Sequence, residues 1–126
     1  MKSKTIILGA TPNPARTAFQ AVHTLQRIEE ELFLVGIRAG EVGGLFIRNT
    51  PEAQAEIPEV DTVTLYIGAK HQASWFDFVL SKSPKRVIFN PGTENPEFIT
   101  LLKGNGIDAI EACTLVLVAV GEYKKL

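Results

Sequence analysis

A chain of 126 residues with 45% hydrophobic side chains is long enough to bury one core, and the expectation is a single domain over residues 1–126. Its formal net charge of −1 gives no bulk attraction to nucleic acid or to an anionic membrane. One cysteine, Cys113, excludes an internal disulfide, and no run approaches the roughly 20 apolar residues of a membrane span. In chain order, "TIILG" (5–9) predicts a first strand, too short for a secretory signal, so a cytoplasmic location is expected. Ala18, Phe19, Val22, Leu25 and Leu32 then recur every three or four residues, with one gap. Gln20, Gln26, Arg27, Glu29 and Glu30 take the outer positions, which predicts an amphipathic helix. "ELFLVGI" (31–37) reads as a second strand, and residues 45–59 as a short strand and a short helix before "IP".

"DTVTLYIG" (61–68) reads as a third strand. A helix over 72–81 follows, with Trp75, Phe76, Val79 and Leu80 as its apolar stripe. "KRVIFN" (85–90) is the fourth strand. Asn95 as N-cap and Pro96 at the first helical position open the next helix, which Gly104 or Gly106 stops. "GIDAIEA" (106–112) supplies a fifth strand. The tail "CTLVLVAVGEY" (113–123) reads both ways: its β-branched residues favour a strand, while Gly121 as a C-cap and the alternating order favour a helix, which is the reading adopted. Strands that are continuous apolar runs, alternating with helices, demand a parallel sheet buried on both faces. The fold expected is therefore α/β: a three-layer, doubly wound, mainly parallel five-stranded sheet with helices on both faces.

Such sheets bind ligands beyond the carboxyl ends of their strands. That rule makes the loop in "TIILGATPNPARTAF" (5–19) a candidate site. Gly9 allows a tight turn, and the unpaired N–H groups and dipole of the following helix favour an anion, typically a phosphate. Arg16 stands where a guanidinium could grip the same anion. The plainer reading is that a βα turn uses Gly and Pro anyway and Arg16 is merely solvated. G-x-G-x-x-G is absent, since Gly9 is the only glycine of this loop.

"GATPNPARTAF" resembles the first loop of the small Rossmann-like proteins of the CoA-binding domain family, where a typical version runs G-A-S-P-N-P-x-R-P-S-Y. The likeness extends through "ELFLVGIRAGEVGG", "IPEVDTVTLYIGA" and "RVIFNPGTENPEFITLLKGNGIDAIEACTLVLVAVGEY", nearly the whole chain. It implies a Rossmann-like domain holding the pyrophosphate of coenzyme A on Gly9, Ala10, Thr11, Asn13 and Arg16, with Pro14 and Thr17 completing the loop. The adenosine end would lie over the loops after strands two and three, near Ile37, Arg38 and Gly68. Two positions depart from the pattern. Ile37 and Arg38 stand where many members have Asn-Pro, and Tyr66 and Ile67 where many have an aromatic followed by arginine. Arg38 could restore a cation for a ribose 3′-phosphate.

The other polar residues have two readings each. In "NPGTEN" (90–95), Asn90, Thr93, Glu94 and Asn95 could face the crevice with Pro91 and Gly92 at its edge, and Glu94 is the candidate acid–base residue; turn chemistry and the Asn95 cap explain the same residues. His71, with Lys70 after Gly68, could meet a phosphate or move a proton, or be a plain exposed residue. His23 reads as structural or solvated. Cys113 reads as a structural thiol, with no base adjacent in sequence. Trp75, Phe76 and Phe78 read as core or as a contact for a homodimer. No metal-ligand spacing, nucleophile elbow or Walker loop occurs, so no catalytic residues are assigned. In the larger relatives that the resemblance brings in, such as the succinyl-CoA synthetase α chain, other domains do the chemistry. The expectation is a stand-alone module for CoA or a related nucleotide. The alternatives are an enzyme acting on a small acyl-CoA or phosphorylated substrate, and a degenerate Rossmann domain used for protein contact.

Overall fold

The computed structural model describes residues 3–125. Its elements in chain order are β1 (Lys4–Leu8), α1 (Thr17–Arg27), β2 (Glu31–Val35), β3 (Glu41–Val42), β4 (Leu45–Phe46) and α2 (Pro51–Ala55). β5 (Thr62–Leu65), α3 (Phe76–Ser81), β6 (Arg86–Phe89), α4 (Pro96–Gly104), β7 (Asp108–Glu111) and α5 (Thr114–Ala119) follow. Short 3-10 turns occupy Ala69–His71, Ala73–Trp75 and Tyr123–Lys125. Five strands form one sheet in the order β2-β1-β5-β6-β7, and every neighbouring pair is parallel. β3 and β4 form a separate antiparallel hairpin. The architecture is the expected Rossmann-like α/β sheet, entirely parallel in its main sheet.

Side-chain alternation sorts the core into two layers. Ile6, Leu8, Val63, Leu65, Val87 and Phe89 pack with Val79 of α3 and with Phe98 and Leu102 of α4. Ile7, Leu34 and Ile88 point the other way, toward Ala18, Ala21, Val22 and Leu25 of α1 and toward Tyr123. The two central strands β5 and β6 are buried along their whole length, as a doubly covered parallel sheet requires.

The structure moves several expected boundaries. The first, second and third strands end one to three residues earlier than their apolar runs, because the chain turns at Gly9, Gly36 and Tyr66 into the loops of the upper edge. Leu32, assigned to the first helical stripe, lies in β2, since α1 stops at Arg27. The helix expected over 72–81 is α-helical only from Phe76. Before it, the buried Gln72 side chain donates to the carbonyls of Ile67 (2.8 Å) and Thr93 (2.7 Å), which holds the chain in two 3-10 turns. Residues 45–59 hold β4 and α2, and the tail is the helix α5, closed by Gly121 with φ +75°.

At the lower edge of the sheet the final turn fastens several elements together. The Tyr123 hydroxyl and Thr5 Oγ1 are 2.8 Å apart, and Arg86 donates to the Tyr123 carbonyl (2.8 Å) while its guanidinium lies over the Tyr123 ring. The buried Glu30 carboxylate accepts from Ser3 and Thr5 and pairs with Lys124 at 3.1 Å.

Candidate functional site: the crevice at the carboxyl edge

The strand order places a reversal between β1 and β5, since the chain leaves β1 toward β2 on one side and returns to β5 on the other. The loops diverge at that point and leave a crevice of about 740 Å³. The β1–α1 loop forms its centre. Gly9 has φ +101°, and a Cβ there would lie 3.0 Å from the Tyr66 backbone and from Ile67 Cγ1, so only glycine lets the loop cross β5 this closely. The N–H groups of Gly9 and Ala10 both bond to the Val35 carbonyl (2.8 and 2.9 Å), tying the loop to the end of β2. Asn13 then shapes the rest: its side chain accepts from Ala15 N (3.0 Å) and its carbonyl from Arg16 N (3.1 Å).

This loop delivers α1 with an open end. Arg16 occupies the N-cap position with extended backbone, makes no capping hydrogen bond, and is followed by a first turn without an acidic residue. Among the described residues no acceptor takes the N–H of Thr17 or Ala18. Arg16 is exposed and has no ion pair among the described residues. Two donors, a helix dipole and an unengaged guanidinium therefore converge on one spot.

The neighbouring loops complete the walls. Gly36, Ile37 and Arg38 come from the end of β2; Tyr66, Ile67, Gly68, His71 and Trp75 from beyond β5; Pro91, Gly92 and Thr93 from beyond β6. Arg16 and Arg38 bring guanidinium groups and His71 an imidazole, and among the described residues no carboxylate lines the crevice. Ile37 is 82% exposed, an aliphatic side chain held open at the rim.

Of the residues singled out from sequence, Gly9, Ala10, Thr11, Asn13, Arg16, Thr17, Ile37, Arg38, Gly68, Pro91 and Gly92 line this one space. Pro14 is exposed on the same loop outside it. Asn90 lies beneath: it is buried, donates to Thr64 Oγ1 (2.8 Å) and the Leu65 carbonyl (2.9 Å), and accepts from Thr114 N (2.8 Å). Glu94 is exposed and turned back on its own turn, accepting from Gly92 N at 3.0 Å. Cys113 takes the N-cap position of α5, half-buried, and His23 packs on Phe19 in α1; neither lines the crevice. Thr93 lines it as expected, whereas Asn95 does not; Ala15, Ala18, Tyr66 and Trp75 line it without having been assigned a ligand role. For Tyr66 and Trp75 the signal was available, since both follow the third strand at the ligand edge.

Tyr66 carries an unusual burden. Its hydroxyl is buried without a hydrogen-bond partner among the described residues, and desolvation pushes its pKa up to about 12. The Thr64 and Thr114 hydroxyls close by oppose that shift, but they bond each other at 2.7 Å.

The CoA binding domain model matches residues 3–119. A crystal structure described as that of an uncharacterized protein is 46% identical, with a TM-score of 0.92 over 98% of this chain and 99% of its own. The structure of cell-free ID.343 from Thermus thermophilus, at 21% identity, has a TM-score of 0.82 over 97% of this chain and 91% of its own. A hypothetical protein from Pyrococcus horikoshii OT3, at 22% identity, has a TM-score of 0.79 over 99% of this chain and 83% of its own. No curated protein matches the sequence. With a match that spans almost all of its residues, on a parallel sheet of this order, the chain belongs to the CoA binding domain family.

Proposed function

We propose that this protein is a binding module for coenzyme A or a closely related nucleotide, with the diphosphate seated at the start of α1. The observation that carries the reading is the open helix end: α1 begins with an uncapped arginine and two free N–H groups, in a crevice lined by two guanidinium groups and, among the described residues, by no carboxylate. Gly9, Ala10, Thr11, Asn13, Arg16 and Thr17 form the anion cradle, with Pro14 stiffening the loop. Dinucleotide sites that take an unphosphorylated ribose place an acidic residue near the end of the second strand to bond its diol. Here that strand ends in Gly36, Ile37 and Arg38, a set that suits a ribose phosphate. Gly68, Pro91 and Gly92 edge the other side, and Asn90 supports the floor from below.

The reading is of a binder without its own catalytic machinery. Glu94, the candidate acid–base residue, has its carboxylate engaged by Gly92 N, and the exposed His71 imidazole has no hydrogen-bond partner among the described residues to orient it.

The test is a thermal-shift titration against CoA, acetyl-CoA, ADP, AMP and NAD. A ligand that binds only the folded state adds about 2.7 kcal/mol at a hundredfold excess over Kd, a rise in Tm on the order of 10 °C. The expected result is a shift with CoA and its thioester, a smaller one with ADP and none with NAD. No shift with any of them at millimolar concentration would overturn the proposal.

A further inference from the structure

The crevice has two chemically distinct halves, and the strand order fixes which loops build each. Across the carboxyl edge the loops run in the order β2, β1, β5, β6. Both arginines that line the crevice, Arg16 and Arg38, belong to the β1 and β2 loops. The half beyond β5 and β6 offers a different surface. Two of its polar groups are occupied within the protein, since Thr93 Oγ1 donates to the Asn90 carbonyl (2.7 Å) and Gly92 N donates to Glu94 (3.0 Å), and the Tyr66 hydroxyl is buried. What remains toward the crevice is the half-buried indole of Trp75, held edge-on against Phe78, with the side chain of Ile67 and the ring of Pro91. The exposed His71 stands at the rim of this half.

A ligand anchored by its diphosphate at α1 extends one arm over each half. The arm over the β5/β6 half meets apolar surface with few groups to satisfy a polar or charged end. We infer that this arm, the pantetheine chain, ends in an uncharged acyl group against this wall, and that the crevice selects acyl thioesters of CoA over the free thiol, with Trp75 as the specificity-determining residue. The inference rests on the proposed CoA reading and names the substrate class within it. Covering one methylene completely improves affinity by about fourfold, and by about twofold where one side stays in water. The open wall here calls for the smaller figure.

Trp75 is the only tryptophan, so the wild-type chain reports on its own wall. The experiment is calorimetric titration of the full chain with CoA, acetyl-CoA, butyryl-CoA and hexanoyl-CoA, with Trp75 emission followed in parallel. The expected result is affinity rising about twofold per added methylene, with a blue shift of emission that grows along the series. In Trp75→Ala, calorimetry alone should show the ratio of hexanoyl-CoA to CoA affinity falling toward one. Ile67→Thr, which keeps the β-branch but loses the Cδ1 methyl and puts a hydroxyl in place of the methylene, should lower that ratio too, and serves if Trp75→Ala does not fold. Equal affinities for all four ligands would overturn the acyl selection while leaving CoA binding intact. A chain-length dependence that survives both substitutions would overturn its assignment to this wall. Binding of none would overturn the CoA reading itself.

Discussion

Two helices of this protein begin at the same edge of the sheet, and they begin in opposite ways. α4 is closed by the standard devices: Asn95 accepts from Phe98 N, Pro96 fills the first helical position, and Glu97 sits in the first turn. Asn95 is itself held through its amide, which donates to the side-chain oxygen Oε1 of the buried Gln72 at 3.0 Å. α1 has none of these. Its N-cap is an arginine that caps nothing, its first turn holds no acid, and the N–H groups of Thr17 and Ala18 are left unpaired. An N-cap side chain contributes about 1 kcal/mol, and an acid in the first turn adds a few tenths. Forgoing both at one helix while using both at the other is what the proposed seat for a ligand's negative charge at α1 requires.

Exchanging the two designs should separate stability from binding. The largest effect expected is from Arg16→Asp, which gives α1 a good cap and an acid where the anion should sit. CoA affinity should fall by about 100-fold, the scale of a lost charge-assisted hydrogen bond with repulsion added. Stability should rise by about 0.5–1 kcal/mol, visible as a higher Tm in the absence of ligand. The converse variant, Asn95→Ala, should lower stability by about 1–2 kcal/mol by denaturant titration, through the lost cap and the unpaired Gln72 oxygen. Its affinity for CoA should stay at the wild-type value.

The smallest effect concerns the floor of the crevice. Tyr66→Phe removes a buried hydroxyl without a partner, so stability at pH 7 should hold or improve by up to about 1 kcal/mol. At high pH the same residue matters more. The folded state keeps the phenol neutral up to about 12, against 10.0 for an ordinary tyrosine, so the unfolded chain gives up its proton first. Stability therefore falls as pH rises through that window, by up to about 1.4 kcal/mol per pH unit. Burial raises the pKa of Tyr123 in the same direction. Tyr66→Phe should accordingly flatten the alkaline loss measured by urea titration between pH 10 and 12, leaving the share due to Tyr123.

What could be read from sequence was what local chemistry decides. Asn95-Pro96 and the glycines that follow fix α4 by rules that act within a few residues. The apolar runs fix the strands because a doubly covered parallel sheet tolerates little else. The helix expected over 72–81 was shortened by a distant cause, since Gln72 reaches the carbonyls of Ile67 and Thr93, and no pattern at 72 announces those partners. Asn90 looks like a crevice residue from its place at a strand end. Its parity with Arg86 and Ile88 carries the contrary message, because every second residue of β6 faces α1 and α5. The place of the Gly9–Arg16 loop at the ligand edge was legible in the sequence, whereas the lack of carboxylates in the crevice lining among the described residues follows only from how four loops meet. The fastening of Tyr123 and Lys124 to Thr5, Arg86 and Glu30 joins residues more than a hundred positions apart in part, beyond the reach of any local rule.

The central claim is that ligand charge, and not a side chain, completes the start of α1. Amide chemical shifts of the ¹⁵N-labelled protein during a CoA titration test it most directly. The account predicts that Thr17 and Ala18 show the largest changes, with Gly9 and Ala10 following, while Glu97 and Phe98 at the capped start of α4 stay fixed. Saturable binding with Thr17 and Ala18 unmoved would contradict it.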